Sequence, residues 1–87
     1  MHEMSLINDL LHKIEDIARR QRAQKVTAVK VRLGALSHIS AHHFREHFEE
    51  GTKSTLAEGA RLETELSGDI HDPHAQDILL LSVDIEE

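Results

Sequence analysis

Leu6, Ile7, Leu10, Leu11, Ile14, Ile17 and Ala18 recur at steps of three and four, and from Lys25 the apolar spacing drops to two. The first period lays one apolar stripe along a helix; the second lines one face of a strand. A chain that switches between them must pack a helix against a sheet. The helix is expected over 5–22, with Ser5 as its N-cap. Glu3 and Asp9 near its start, and Arg19, Arg20 and Arg22 near its end, suit the helix dipole.

The first strand is expected over 25–33. Thr27, Val29, Val31 and Leu33 share one face, and Ala28, Lys30 and Arg32 the other. Gly34 breaks the strand. Ser40 then caps a second helix whose inner face carries Ala41, Phe44 and Phe48, with Gly51 as its end or a kink. Leu62, Thr64 and Leu66 alternate with Arg61, Glu63 and Glu65 in a second strand. Residues 67–76, with Gly68, Asp72 and the sole proline, Pro73, read as a loop. The third strand is expected over 78–85, with Leu79, Leu81, Val83 and Ile85 on one face and Ile78, Leu80, Ser82 and Asp84 on the other.

The order helix-strand-helix-strand-strand implies an α+β fold. Two helices cover one face of a small three-stranded mixed sheet. Strands one and two, joined through a helix, run parallel if adjacent, with a right-handed crossover. Strands two and three are expected to form an antiparallel hairpin. Lys30, Arg32, Arg61, Glu63, Glu65 and Asp84 line the watered face. Ile78 and Leu80 are the apolar exceptions there, which leaves a homodimer through the sheet open.

At 87 residues the chain makes one small domain. Surface scaling leaves roughly 5,000 Å² accessible after folding, too small a body to enclose a deep substrate cavity. The only aromatics are Phe44 and Phe48, so the core is otherwise aliphatic. No cysteine is present, which excludes a disulfide framework and a thiolate zinc site. No apolar run is long enough for a membrane span, and no charged start leads into an apolar signal region, so the expected compartment is the cytoplasm. Ten Lys+Arg against sixteen Asp+Glu leave a net charge of −6, which argues against nucleic-acid or anionic-membrane binding. No Gly-rich phosphate loop or nucleophile–base constellation is visible, so the chain does not read as an enzyme.

Eight histidines make metal the first chemistry to test. The most informative residues are Met1, His2 and Glu3. A bulky second residue normally leaves the initiator methionine in place, so Met1 is expected to carry a free amine. That amine, the His2 amide nitrogen and the His2 imidazole can chelate one ion through adjoining rings. The Glu3 amide or a water can supply the fourth donor. Tetragonal nitrogen-rich sites select copper(II) or nickel(II) over zinc. The bland alternative is a loose chain end with an incidental histidine. His43 and His47 stand four apart, with His38, His42 and Glu46 in the same region; they read as a metal pair or as a titratable polar helix face. His71 and His74 likewise read as loop ligands or as solvated loop residues.

The opening Met1-His2-Glu3-Met4-Ser5-Leu6 resembles the N-terminus of the HypA/HybF family of hydrogenase nickel-incorporation proteins. Val31-Arg32-Leu33-Gly34-Ala35-Leu36-Ser37 resembles that family's first strand and its Gly-x-Leu-Ser turn. Gly51-Thr52 followed by Ala57-Glu58-Gly59-Ala60-Arg61-Leu62 resembles a later segment, and Val83-Asp84-Ile85-Glu86 its final strand. The resemblance implies a nickel-binding metallochaperone for [NiFe]-hydrogenase maturation or another nickel enzyme. His2 would bind nickel, with Met1 and Glu3 as backbone donors. The implied partners are a nickel-binding GTPase and the hydrogenase large subunit. The family also carries a zinc lobe with two Cys-x-x-Cys pairs between its last two strands. Here only the cysteine-free stretch 67–76 stands in that place, so no structural zinc is expected and residues 1–87 read as a single nickel-binding domain. The competing expectations are a metal-independent regulatory or interaction module of the same family, and a histidine-rich metal buffer.

Overall fold

The computed structural model describes the backbone of residues 3–87 and the side chains from residue 5 onward. Its elements are α1 (Glu3–Arg20), β1 (Lys25–Leu33), α2 (Ala41–Gly51), β2 (Arg61–Leu66) and β3 (Ile78–Glu86), in the expected order. The sheet runs β2-β1-β3, with β1 parallel to β2 and antiparallel to β3. Both helices cover the same face. Ile7, Leu10, Ile14 and Ala18 of α1 meet Phe44 and Phe48 of α2 over Val26, Val29, Val31 and Leu33 of β1. Burying an aliphatic or Phe side chain of this size contributes about 1.5–3 kcal/mol, so this layer dominates the fold's stability.

The expected hairpin between the second and third strands does not form. β1 lies between them, and β3 pairs with the far edge of β1. A hairpin needs a tight connection, commonly two to five residues. The stretch 67–77 is long enough to pass the end of β1 and reach that edge, roughly 10 Å beyond β2. The central position gives β1, with its run of buried valines, a neighbour on both sides.

Two bulges change which side chains face inward. One lies between Val26 and Ala28, so Val26 is buried and Thr27 exposed, against expectation. The Thr27 hydroxyl instead donates to the Asp84 carbonyl at 3.2 Å. The other shifts the register where Lys30 pairs with Ser82 but Val31 with Leu80, skipping Leu81. Before that bulge Ile78 and Leu80 pack on the core; after it Val83 and Ile85 do. Ile78 and Leu80 therefore belong to the inner face, and the subunit contact inferred from them loses its basis. Leu81 is left 38% exposed.

The helix ends also differ from expectation. α1 starts at Glu3, so Ser5 is an exposed residue of its first turns and not its cap. It stops at Arg20 because Arg22 adopts a left-handed backbone (φ 54°). The Ala23 amide then donates to the Ala18 carbonyl at 2.9 Å and the Arg22 amide to that of Arg19 at 3.0 Å. This is a Schellman closure with arginine where glycine is usual. α2 begins as expected: the Ser40 hydroxyl accepts from the His43 amide at 3.1 Å.

Candidate metal centre

Met1 and His2 lie outside the described residues, and Glu3 enters as the first residue of α1. The structure does show what surrounds the turns that follow. Leu6, half-buried, borders two shallow grooves. One is lined by Leu6, Leu36, Ser37, His38, Gln76 and Asp77. The other contains Leu6, Asp9, Lys13, His74, Asp77 and Leu79. The start of α1 thus sits at the end of the sheet where β1 stops, β3 begins and the 67–77 stretch crosses over.

Backbone bonds fix this end. The Gly34 amide donates to the Asp77 carbonyl at 2.9 Å, and the Leu36 amide to that of Ala75 at 2.7 Å. Ala75 is buried beneath the turn. A side chain at Gly34 would run into the Ala75 carbonyl oxygen, which explains glycine there. The Ser37 hydroxyl donates to the Gly34 carbonyl at 2.8 Å and closes the turn. His38 follows with a left-handed backbone, φ 59°.

Two Asx turns shape the crossing stretch. Asp69 Oδ1 accepts from the His71 amide, and Asp72 Oδ1 from the His74 amide, each at 2.9 Å. His74 Nδ1 lies 3.1 Å from Asp77 Oδ2. Leu36, Leu66 and Ile70 expose apolar surface at this same end, Leu66 at 66% and Ile70 at 57%. The alternation of β2 puts Leu66 on the inner face with Leu62, but it pairs with Leu33, the last residue of β1, and stays exposed.

The helical histidines are arranged differently. His43 and His47 stack with ring centroids 5.9 Å apart and planes 8° apart. His42 Nε2 lies 2.8 Å from Glu46 Oε1 on an exposed face. His12 borders a groove of about 190 Å³ between α1 and the 51–57 segment, among Leu11, Ile14, Val26 and Leu56. Among the described residues, no three His, Asp or Glu side chains are placed to hold one metal ion. On α2, His42 and His43 are exposed and His47 is half-buried.

The sequence profile of the family described as hydrogenase/urease nickel incorporation, metallochaperone, hypA matches residues 1–69. The chain belongs to the HypA family. It is 41% identical over 66 residues to the hydrogenase maturation factor HypA of Methylocella silvestris, covering 76% of this chain and 58% of that protein. Against HypA of Azotobacter chroococcum it is 42% identical over 69 residues, covering 78% and 61%. The chain thus spans less than two thirds of the length of these relatives. The solution structure of the Ni metallochaperone HypA from Helicobacter pylori superposes with a TM-score of 0.79 at 20% identity, over 99% of this chain and 98% of that one. That likeness shows the HypA fold and extends through β3, whereas the family profile stops at residue 69. The segment carrying His71, His74 and Asp77 lies beyond the residues that the family profile matches.

Proposed function

We propose that this HypA-family chain captures Ni(II) at its N-terminus and hands it on by protein contact during [NiFe]-hydrogenase maturation. The Met1 amine, the His2 amide and the His2 imidazole form the chelate, with Glu3 completing or shaping it. Nickel is cargo here and the chain has no catalytic turnover of its own. The observation that carries the reading is the family match beginning at residue 1, which includes Met1-His2-Glu3. A tetragonal nitrogen chelate suits nickel(II), and its need for deprotonated donors makes release responsive to acid and to partner docking.

Delivery needs a partner surface beside the metal. Leu36, Leu66 and Ile70 offer one at the end of the sheet where α1 starts. By family resemblance the partners are a nickel-binding maturation GTPase and the hydrogenase large subunit, with urease as the alternative recipient. The turn-rich 67–77 stretch takes the place of the zinc lobe, so the nickel domain acts without structural zinc. No helix among the described residues is long and apolar enough to cross a membrane.

Calorimetric Ni(II) titration tests the reading on three proteins: the native chain, His2→Ala, and a chain extended at its N-terminus. Tight one-to-one binding is expected only in the first. Equal affinity in all three would remove the site. The metal-independent module is the competing reading, and it predicts that partner capture survives His2→Ala unchanged.

A further inference from the structure

His43 and His47 sit one turn apart on α2, and their rings lie side by side. Positions four apart are neighbours on a helix surface, the spacing at which helical histidines bind zinc as a pair. The ring centroids are 5.9 Å apart. Two imidazoles on one tetrahedral ion, with each Zn–N bond about 2.0–2.1 Å and each ring centre about 1.1 Å beyond its nitrogen, hold their centroids about 5 Å apart. The pair therefore needs to close by only about 1 Å. The planes, 8° from parallel, must also tilt toward each other to meet at one ion. That tilt is a rotation about χ2, a broad and soft torsion for histidine.

The backbone beneath the rings is fixed. Phe44 and Phe48, each one residue beyond a histidine, are buried, and the Ser40 hydroxyl caps the helix start. At its other end the Phe48 carbonyl accepts from the Thr52 amide at 3.0 Å and from its hydroxyl at 2.8 Å. Anchored ligand positions lose less freedom when an ion binds. His43 is exposed and His47 half-buried, so an ion reaches them from solvent. His42 and His74 each set a ring nitrogen against a carboxylate, at 2.8 Å and 3.1 Å. Among the described residues, neither His43 nor His47 has such a partner. The positive end of the α2 dipole opposes a cation here, and Glu46 and Glu50, three residues beyond His43 and His47, offset it.

From this geometry we infer that α2 carries a second metal site, in which His43 and His47 hold one Zn(II) ion with water in the remaining positions. Among the described residues no third side chain joins them, so the grip is weaker than that of a multidentate nitrogen chelate. Tetragonal nitrogen sites do not select zinc, whereas a pair of imidazoles with open positions suits it. An ion tying one turn of α2 binds the folded chain and not the unfolded one, so it raises the unfolding temperature. The site stands apart from the proposed N-terminal capture and does not depend on it.

Zn(II) alone, titrated into the metal-free untagged chain, tests this by NMR of the histidine rings and by thermal unfolding. The rings of His43 and His47 should shift together along one saturating curve, and the unfolding temperature should rise with zinc. His43→Ala and His47→Ala should each lose at least about tenfold in zinc affinity, since a direct ligand matters no less than a supporting partner, and should lose the thermal gain. Each variant's metal-free unfolding gives its own baseline, so a change in fold is read separately from a lost ligand. His42→Ala keeps both rings and should behave as the native chain. His2→Ala should keep the response at His43 and His47 whether or not it loses nickel. The inference is overturned if His43→Ala retains native zinc affinity and thermal gain, or if zinc shifts residues outside α2 and leaves these two rings unmoved. A zinc response that disappears in His2→Ala would also overturn it, placing the ion at the chain start and leaving the nickel capture standing.

Discussion

The two ends of the sheet are built differently. Where α2 and the second half of α1 pack, the structure rests on buried side chains: Ile14, Ala18, Val26, Phe44 and Phe48. Where β1 stops and α1 starts, much of the order comes from hydrogen bonds among the Gly34–Ser37 turn, Ala75 and Asp77. The first end hides its apolar groups; the second exposes Leu36, Leu66 and Ile70 alongside His38 and His74. The core itself runs beneath both ends, with Ile7, Leu33 and Ile39 buried at the second; the contrast teaches that the two ends differ in what they leave exposed, not in whether they are packed.

The strongest way to break the comparison is Phe44→Ala. Phe44 is fully buried beside Phe48, with ring centroids 6.3 Å apart. Its loss should cost about 3–5 kcal/mol in urea unfolding. Protein that remains folded should bind nickel as before; a weakened site in that fraction would show that core and metal end are coupled. Gly34→Ala probes the other end. The added methyl must push the Ala75 carbonyl away, costing about 1–3 kcal/mol. Unlike Phe44→Ala, it should also lower nickel affinity if the proposed N-terminal capture holds, because it shifts the turn that borders the start of α1.

Ser40→Ala removes the N-cap of α2 and should cost about 1 kcal/mol in the same urea unfolding. Breaking the Arg32–Glu65 pair (3.0 Å) on the half-exposed outer face should cost less than about 1 kcal/mol, and less still in salt. The smallest effect concerns Lys53, whose amine Glu50 holds above its ordinary range by a hydrogen bond and by charge. Glu50→Gln should bring that titration down, readable by NMR. A raised folded pKa stabilises below the unfolded value and ceases to do so as pH rises through the folded one. The variant's slight deficit should therefore vanish only in strong alkali.

Much of this division is legible in the sequence. The helical spacing of Ile7, Leu10, Ile14 and Ala18, and the Ser40 cap, follow from local pattern because one face of each helix is dry. The alternation in β3 misleads because Leu81 is skipped in the pairing, so the residues before and after it exchange faces. Val26 and Thr27 are misread for the same reason. Nothing local in an apolar run such as Ile78-Leu79-Leu80-Leu81 marks where a bulge falls. Strand order is equally non-local: only the reach of the 67–77 stretch hints that β3 can pass β1. The candidate donors Met1, His2 and Glu3 come from chelate chemistry and family likeness. The His74–Asp77 contact is a product of folding, whereas the four-residue step from His43 to His47 stands in the sequence itself.

The most direct test of the account is the amide NMR spectrum of the untagged chain with stoichiometric Ni(II). A square-planar ion held at the chain start is diamagnetic. It should shift sharp resonances in the first turns of α1, at 36–38 and at 74–77, and leave His42 to His47 unmoved. Paramagnetic broadening centred on α2, with the start of α1 unaffected, would contradict it.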